Sequence, residues 1–454
     1  MFKEWKKILW LAIPSIASFA SSTLTGTINL ILVGQLSSLA IAIVGVSNII
    51  MYNAWALFSG IGHTTNYLVA QNFGSNNMKK AVERTYIAFY LSLAASAVIL
   101  CVGLLFPEGI FKLLGSSTQM IEEGKSYLQF RFFAMIFSIF TFVFHGFLRG
   151  IGDTKTPMIS TIIGGAFMVF LTYGLTYGKF ALPELGLIGA GIAFFTGEVV
   201  TFLICAYIYF IKLHPNYETR KRVTFDRSES KLIFAESSKL GIQEFSMSMA
   251  MFVFTAFVTR LGTDALAANE VALSVMSLGF MPAFAFGSTA TILVGQEIGK
   301  GQPSLGKKAG THTAILGCIF LLILGVIEFF FAEPIAKIYT HNLQVYKLAG
   351  ELIMISAFLQ LFDGLLNFYA GGLRGIGDTS FLLKISLLLG WLLFIPLSYV
   401  LTFLLDLGSI GAWISLYTYL TVFGISVMIR FYRTNWDLVK LKSVEKEYQA
   451  NHVN

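Results

Sequence analysis

Charge is what this sequence has least of. Lys, Arg, Asp and Glu make up 13% of its 454 residues, about half the share usual in soluble domains, and that excludes a water-soluble globular chain. Cysteine is scarce as well. Cys101, Cys205 and Cys318 are the three present, each in an apolar run and without paired spacing. They read as small core hydrophobes, and neither a disulfide framework nor a thiolate metal site is expected. No GxxxxGK[ST] loop occurs, so ATP is not the expected energy source. There is no G-x-S-x-G, no Cys–His pairing and no metal-ligand spacing, so neither an enzyme nor a cofactor is expected.

What is present is apolar: 56% hydrophobic residues, 15% aromatics and a mean hydropathy of +0.72. A membrane-spanning helix needs roughly 20 predominantly apolar residues, and about twelve such runs occur. They lie near 8–34, 39–70, 84–106, 125–147, 157–178 and 186–212, then 232–260, 264–294, 310–332, 347–370, 381–404 and 408–431. Bilayer-crossing strands would be shorter and strictly alternating. The fold class is therefore an all-α integral membrane protein in contact with the lipid bilayer.

The net charge of +7 is set by where basic residues collect, not by a nucleic-acid footprint. Lys3, Lys6 and Lys7 open the chain; Lys79, Lys80 and Arg84 follow the second run; Arg149 and Lys155 follow the fourth. Arg220, Lys221, Arg222, Arg227 and Lys231 fill the central gap, and Lys300, Lys307, Lys308, Arg374, Arg430 and Arg433 continue the alternation. Basic loops stay on the cytoplasmic side, which puts both termini inside and makes the number of spans even. The basic head before the first apolar run resembles a signal peptide, but that run continues to Val33 and reads as an uncleaved first span.

The stretch "LRGIGDT" occurs at Leu148–Thr154 and again at Leu373–Thr379, 225 positions later. The same shift brings Val69–Gly74 (VAQNFG) onto Val294–Gly299 (VGQEIG), and "LGLIGA" at 185–190 is echoed by "LGSIGA" at 407–412. A six-span unit has been duplicated in parallel orientation, an arrangement used by secondary transporters, whose sites lie between the repeats. The expected division is an N-terminal six-helix lobe at 1–213, a cytoplasmic linker at 214–231 and a C-terminal lobe with a short tail at 232–454. Each heptapeptide is expected to be a structural turn where a span leaves the membrane. Its Arg suits a helix C-terminus, and its Asp-Thr can cap the next helix.

The doubled unit with "LRGIGDTKTP" and "LRGIGDTSF", with "VAQNFGSNN", "ANEVALSVMSL" and "FMPAFAFGSTATILVGQEIGKGQP", resembles the multidrug and toxic compound extrusion (MATE) family over essentially the whole chain. The resemblance implies two six-helix lobes and alternation between inward- and outward-open states. It also implies export of organic, often cationic, compounds in exchange for Na⁺ or H⁺. NorM-type members carry an acidic residue in span 10, which Asp363 in "LQLFDGLLNFYAGGLRG" matches. Their span-7 acidic position falls on Met247, with Glu244 one helical turn earlier. Members with a span-1 proton site carry an Asp where "TINLILVG" has Asn29, which cannot titrate.

Ionisable groups in the spans are the sharpest chemical signal, because a charge at the bilayer centre costs roughly 2.5–3.5 kcal/mol or more unless it meets a partner or a wet cavity. Glu198, Glu244, Glu270 and Asp363 are read as deep. Gln360, Asp363 and Asn367 fall on one helical face as three oxygen-bearing side chains suited to a hard cation. Glu244 and Glu270 either complete a Na⁺ cage with Asp363 or hydrogen-bond within their lobe. Glu198, the deep carboxylate of the first half, is a further ion-coupling candidate. Thr25 and Asn29 on span 1, Asn66 on span 2, and Met247 and Met251 on span 7 are candidate walls of a cargo cleft, the methionines as adaptable surface. The expectation is a secondary multidrug antiporter of the cell membrane, functional as a monomer. The alternatives are a flippase for lipid-linked saccharides, or a non-transporting receptor or membrane enzyme.

Overall fold

A computed structural model describes residues 2–113, 117–220, 226–339 and 342–443. It contains twelve helices long and apolar enough to cross a membrane, and the chain is a multi-pass membrane protein. In chain order they are α1 Phe2–Gly34, α2 Ser38–Gly74, α3 Met78–Leu105, α4 Thr118–Gly150, α5 Lys155–Tyr177 and α6 Gly186–Lys212. The second set is α7 Arg227–Thr259, α8 Thr263–Gly299, α9 Pro303–Phe330, α10 Leu343–Ile376, α11 Thr379–Leu404 and α12 Gly408–Arg433. Helices follow from the apolar composition, since hydrocarbon offers backbone groups no partner and each segment must satisfy its own. Large apolar side chains such as Leu93, Ile323, Leu392 and Leu404 face outward, as lipid contact requires and water would not permit over so many positions.

The duplication is visible in the helix ends. Both ends of α7, α8 and α9 lie 225 positions after those of α1, α2 and α3, and α10 starts 225 after α4. Even the short helix after α3, Pro107–Leu113, returns after α9 as Ala332–Tyr339. The repeated heptapeptide is less of a turn than its composition suggests. Its Leu-Arg-Gly finishes α4, and in the second copy α10 runs on to Ile376. The reversal falls on the second glycine, at φ 89° for Gly152 and 83° for Gly377, a region costly for any residue with a β-carbon. Asp153 Oδ1 then accepts hydrogen bonds from the backbone N–H groups of Lys155 and Thr156 at 3.1 and 3.0 Å, capping α5. Asp378 instead accepts from Arg430 Nε at 2.8 Å.

The central linker is partly helical: His214–Tyr217 forms one turn and α7 is under way from Arg227. Lys221 and Arg222 lie outside the described residues. The chain forms two compact units. Among the described residues, one contains Ala17–Val69 and Asn77–Gly241; the other contains 242–443 with the start of α1 through Ile16 and the short segment Ala70–Asn76. The sequence repeat and the compact units are thus different divisions of the chain.

In the first unit, Phe89, Phe144 and Tyr209 pack ring on ring with centroids 4.8–5.7 Å apart. Near them, Glu229 is held by Arg84 and Lys80, each at 3.0 Å. In the second unit, the ends of the VAQNFG and VGQEIG segments meet. A β-carbon on Gly74 would come within 2.0 Å of the Gln296 carbonyl oxygen, and one on Gly299 within 2.1 Å of that of Gln71. Glycine is required there because two backbones touch.

Candidate functional site

In the second unit the long helix α10 carries the polar core. Asp363 is 7% exposed. Asn367, one turn on, donates its side-chain N–H to Asp363 Oδ1 at 3.2 Å and to the Asp363 carbonyl at 2.9 Å. Among the described residues no basic side chain forms an ion pair with Asp363. Gln360 shares the face but is turned toward α9, where its Nε2 donates to Glu328 Oε2 at 2.8 Å. Glu328 is 2% exposed and was not among the expected deep carboxylates. Its only signal was a Glu in the otherwise apolar "VIEFF". Gln360 and Asn367 therefore present N–H groups to carboxylates, where oxygen ligands to a cation were expected.

The other two expected members of that cage are elsewhere. Glu244 on α7 accepts from Arg374 Nη2 at 2.7 Å, so its charge is already matched. Glu270 is exposed and lies seven residues into α8, about 10 Å from its start. It accepts from Asn269 Nδ2 at 3.4 Å, and Asn269 in turn accepts from Trp413 Nε1 at 3.0 Å. Ser277, two turns after Glu270, donates to the carbonyl of Ser274 in its own helix at 2.6 Å. Among the described residues no three His, Cys, Asp or Glu side chains come together as metal ligands. A cage of Asp363, Glu244 and Glu270 is thus not formed. Met247 and Met251 are half-buried on α7.

The first unit contains cavities. One of about 330 Å³ is lined by Thr25 and Phe19 from α1, Trp55 from α2, His145 and Arg149 from α4, and Glu198 from α6. A second, of about 480 Å³, shares Glu198 and Trp55 and adds Met51, Tyr52 and Arg131. A third, of about 250 Å³, is lined by Asn29, Asn48, Tyr127 and Arg131. Thr25 and Asn29, expected as cleft walls, line these cavities, and so does Glu198, expected as an ion-coupling carboxylate. Among the described residues, both side-chain amide atoms of Asn29 are buried without a hydrogen-bond partner, as is Oδ1 of Asn66.

The basic groups of these walls were not anticipated from composition. Arg131 donates from Nη1 to Asn48 Oδ1 and to Tyr127 Oη, both at 2.9 Å, and its guanidinium lies 3.9 Å from the Phe194 ring centroid. His145 Nε2 is 3.1 Å from Ser160 Oγ. Arg149 lies 5.0 Å from the centre of the Phe19 ring, a cation–π contact. The arrangement is an apolar and aromatic enclosure with few convergent polar groups and charges of both signs, the usual build of a small-molecule site.

The model of the MatE family matches residues 14–173 and 240–400, most of both repeats. The chain is 27% identical over 413 residues to the probable multidrug resistance protein NorM of Thermotoga maritima, covering 90% of this chain and 88% of that one. It is 26% identical over 452 residues to the multidrug resistance protein MdtK of Proteus mirabilis, covering 97% and 98%. Among solved structures, an outward-facing multidrug resistance MATE family transporter of the MOP superfamily superimposes with a TM-score of 0.86 at 21% identity, covering 94% of this chain and 96% of that one. A MOP superfamily transporter from Pyrococcus furiosus gives 0.85 at 22% identity, covering 94% and 95%.

Proposed function

This chain belongs to the MATE family of membrane transporters, which are not enzymes, and from that premise we propose that it exports organic, predominantly cationic compounds in exchange for H⁺ or Na⁺. The names of its relatives, multidrug resistance proteins over nearly their whole length, support drug efflux. The observation that carries the coupling is Asp363: a carboxyl buried in a spanning helix, held by one neutral amide and, among the described residues, by no basic group. A charge so placed is costly unless a small cation or proton visits it. Binding there shifts the balance between inward- and outward-open states as far as the ion prefers one of them. Glu328 and Gln360 extend the same polar core. Glu244, matched by Arg374, holds structure rather than ion. Glu198 is the carboxylate that meets a positively charged cargo.

The protein sits in the cell membrane with both termini cytoplasmic, as the alternation of basic loops supports, and works as a monomer with no cofactor. A flippase reading would want cavities dominated by positive charge; in two of the three described above Glu198 stands in the same lining as an Arg, Arg149 in one and Arg131 in the other. The test is dye efflux from proteoliposomes under an imposed pH gradient and, separately, an imposed Na⁺ gradient. Wild type should respond to one of them and Asp363→Asn to neither. Efflux at wild-type rate from the Asn variant would refute the assignment.

A further inference from the structure

Glu328 is 2% exposed in a spanning helix, and among the described residues its one hydrogen-bond partner is Gln360, whose Nε2 donates to Oε2 at 2.8 Å. Oε1 of Glu328 and Oε1 of Gln360 are both buried without a partner among the described residues. Gln360 is held closely on two sides. A β-carbon on Gly279 of α8 would come within 1.9 Å of its Oε1, and one on Gly325 of α9 within 3.3 Å of its Nε2. The charged groups at the neighbouring helix ends leave Glu328 unmatched. Asp264 and Glu270 at the start of α8, Lys347 and Glu351 at the start of α10, and Glu333 and Lys337 on the short helix after α9 are exposed, and none bonds to it. Tyr339 and Tyr346 are engaged by Ser274 and Lys337. A tie between helices does not need this pair. In the first half Glu328, Gln360 and Asp363 correspond to Gly103, Met135 and Ser138, and there Gly103 packs directly on Phe132.

We propose that Glu328 is the proton relay of Asp363: the coupling ion is H⁺, and it reaches Asp363 through the Glu328 carboxyl. The inference rests on the reading of Asp363 as the coupling carboxyl. Both carboxyls are held by side-chain N–H groups, from Asn367 and from Gln360, which steady a carboxylate and cannot ligate a metal ion. Two unpartnered oxygens are too few for a hard cation, which takes about six, and enough for a proton. Glu328 lies two residues before the end of α9, the end that the alternation of basic loops puts outside. Gln360 precedes Asp363 by about 4.5 Å along the helix axis, a gap that one water can bridge. A proton from outside binds Glu328 at Oε1. That O–H bond then breaks as one forms at the Asp363 carboxylate, so the proton moves inward and the negative charge returns to Glu328.

The experiment is a stopped-flow pH jump on the purified full chain with ethidium bound, reading the relaxation of ethidium fluorescence. Because ion and cargo binding are linked, wild type should relax to a new occupancy, and Asp363→Asn should not relax. Glu328→Gln keeps the shape and an acceptor for Gln360 but cannot carry a proton. It should reach the wild-type end point about a hundredfold more slowly. Added sodium azide, whose small neutral acid carries protons, should restore the rate. A mere tie between helices would show neither a slower approach to an unchanged end point nor rescue by azide. A wild-type rate in Glu328→Gln, or a slow rate that azide leaves slow, would overturn the relay. Should Glu328→Gln not be recovered folded, Gln360→Met decides by the same two readings. It installs the residue of the first half and leaves the carboxyl unplaced. A wild type that does not relax would overturn the relay together with H⁺ as the ion at Asp363, whereas a relaxing wild type with an unaffected Glu328→Gln would remove the relay alone.

Discussion

Arg149 and Arg374 stand in two copies of one heptapeptide at matching helix ends, yet they live differently. Arg374 is ion-paired with Glu244, while Arg149 lies against Phe19 beside a cavity. The contrast extends along the repeat. Asp363 corresponds to Ser138, and Glu328 to Gly103. The second half has buried carboxyls with amide partners; at the matching positions the first half has small groups, and three cavities are lined by its residues. Duplication supplied one scaffold twice, and on the function proposed above a handful of substitutions would divide the labour between an ion-handling half and a cargo-handling half.

That division can be broken in steps of decreasing size. The largest effect is expected from Gly299→Ala, where a β-carbon would meet the Gln71 carbonyl at 2.1 Å. Overpacking against a backbone that cannot yield should cost about 1–3 kcal/mol, read as a lower midpoint in a thermal unfolding assay in detergent. Arg374→Gln should cost about 2 kcal/mol by stranding the Glu244 carboxylate, a figure kept below the fully buried range because that side chain is about a fifth exposed. Arg149→Gln strands nothing and should leave the midpoint unchanged or raise it. Equal losses in the two Arg variants would mean that the two sites are not as different as their partners imply. A smaller difference is expected at the caps. Asp153→Ala removes the acceptor of two backbone N–H groups and should cost about 1 kcal/mol. Asp378→Ala removes only a half-exposed ion pair and should cost less than that.

The scaffold was legible in the sequence because hydrocarbon imposes length and apolarity on every span, and because the repeated LRGIGDT carries its own ruler. In the structure both ends of α7, α8 and α9 fall 225 positions after those of α1, α2 and α3. Chemistry was less legible. Asp363 stood out as an Asp in an apolar run, but its geometry did not. The same spacing that puts Gln360 on its face left unsaid that Gln360 is bonded to Glu328 across to α9. Glu244 was equally visible as a carboxylate, and only packing shows that Arg374 has claimed it. The cavities were hidden because Ser, Thr and Gly on a helix face signal close packing and open space alike. Asn29 and Thr25 could be placed on a polar stripe, whereas Arg131 in "FRFF" offered no pattern at all.

The central claim, that ion and cargo are held by different halves, is tested most directly by dye binding to purified protein with and without the coupling ion. In wild type, dye affinity should change with Na⁺ or with pH, since linkage is reciprocal. Asp363→Asn should still bind dye but lose that dependence, while Glu198→Gln should weaken dye binding and keep it. Loss of dye binding in Asp363→Asn, or retention there of the full ion dependence, would contradict the account.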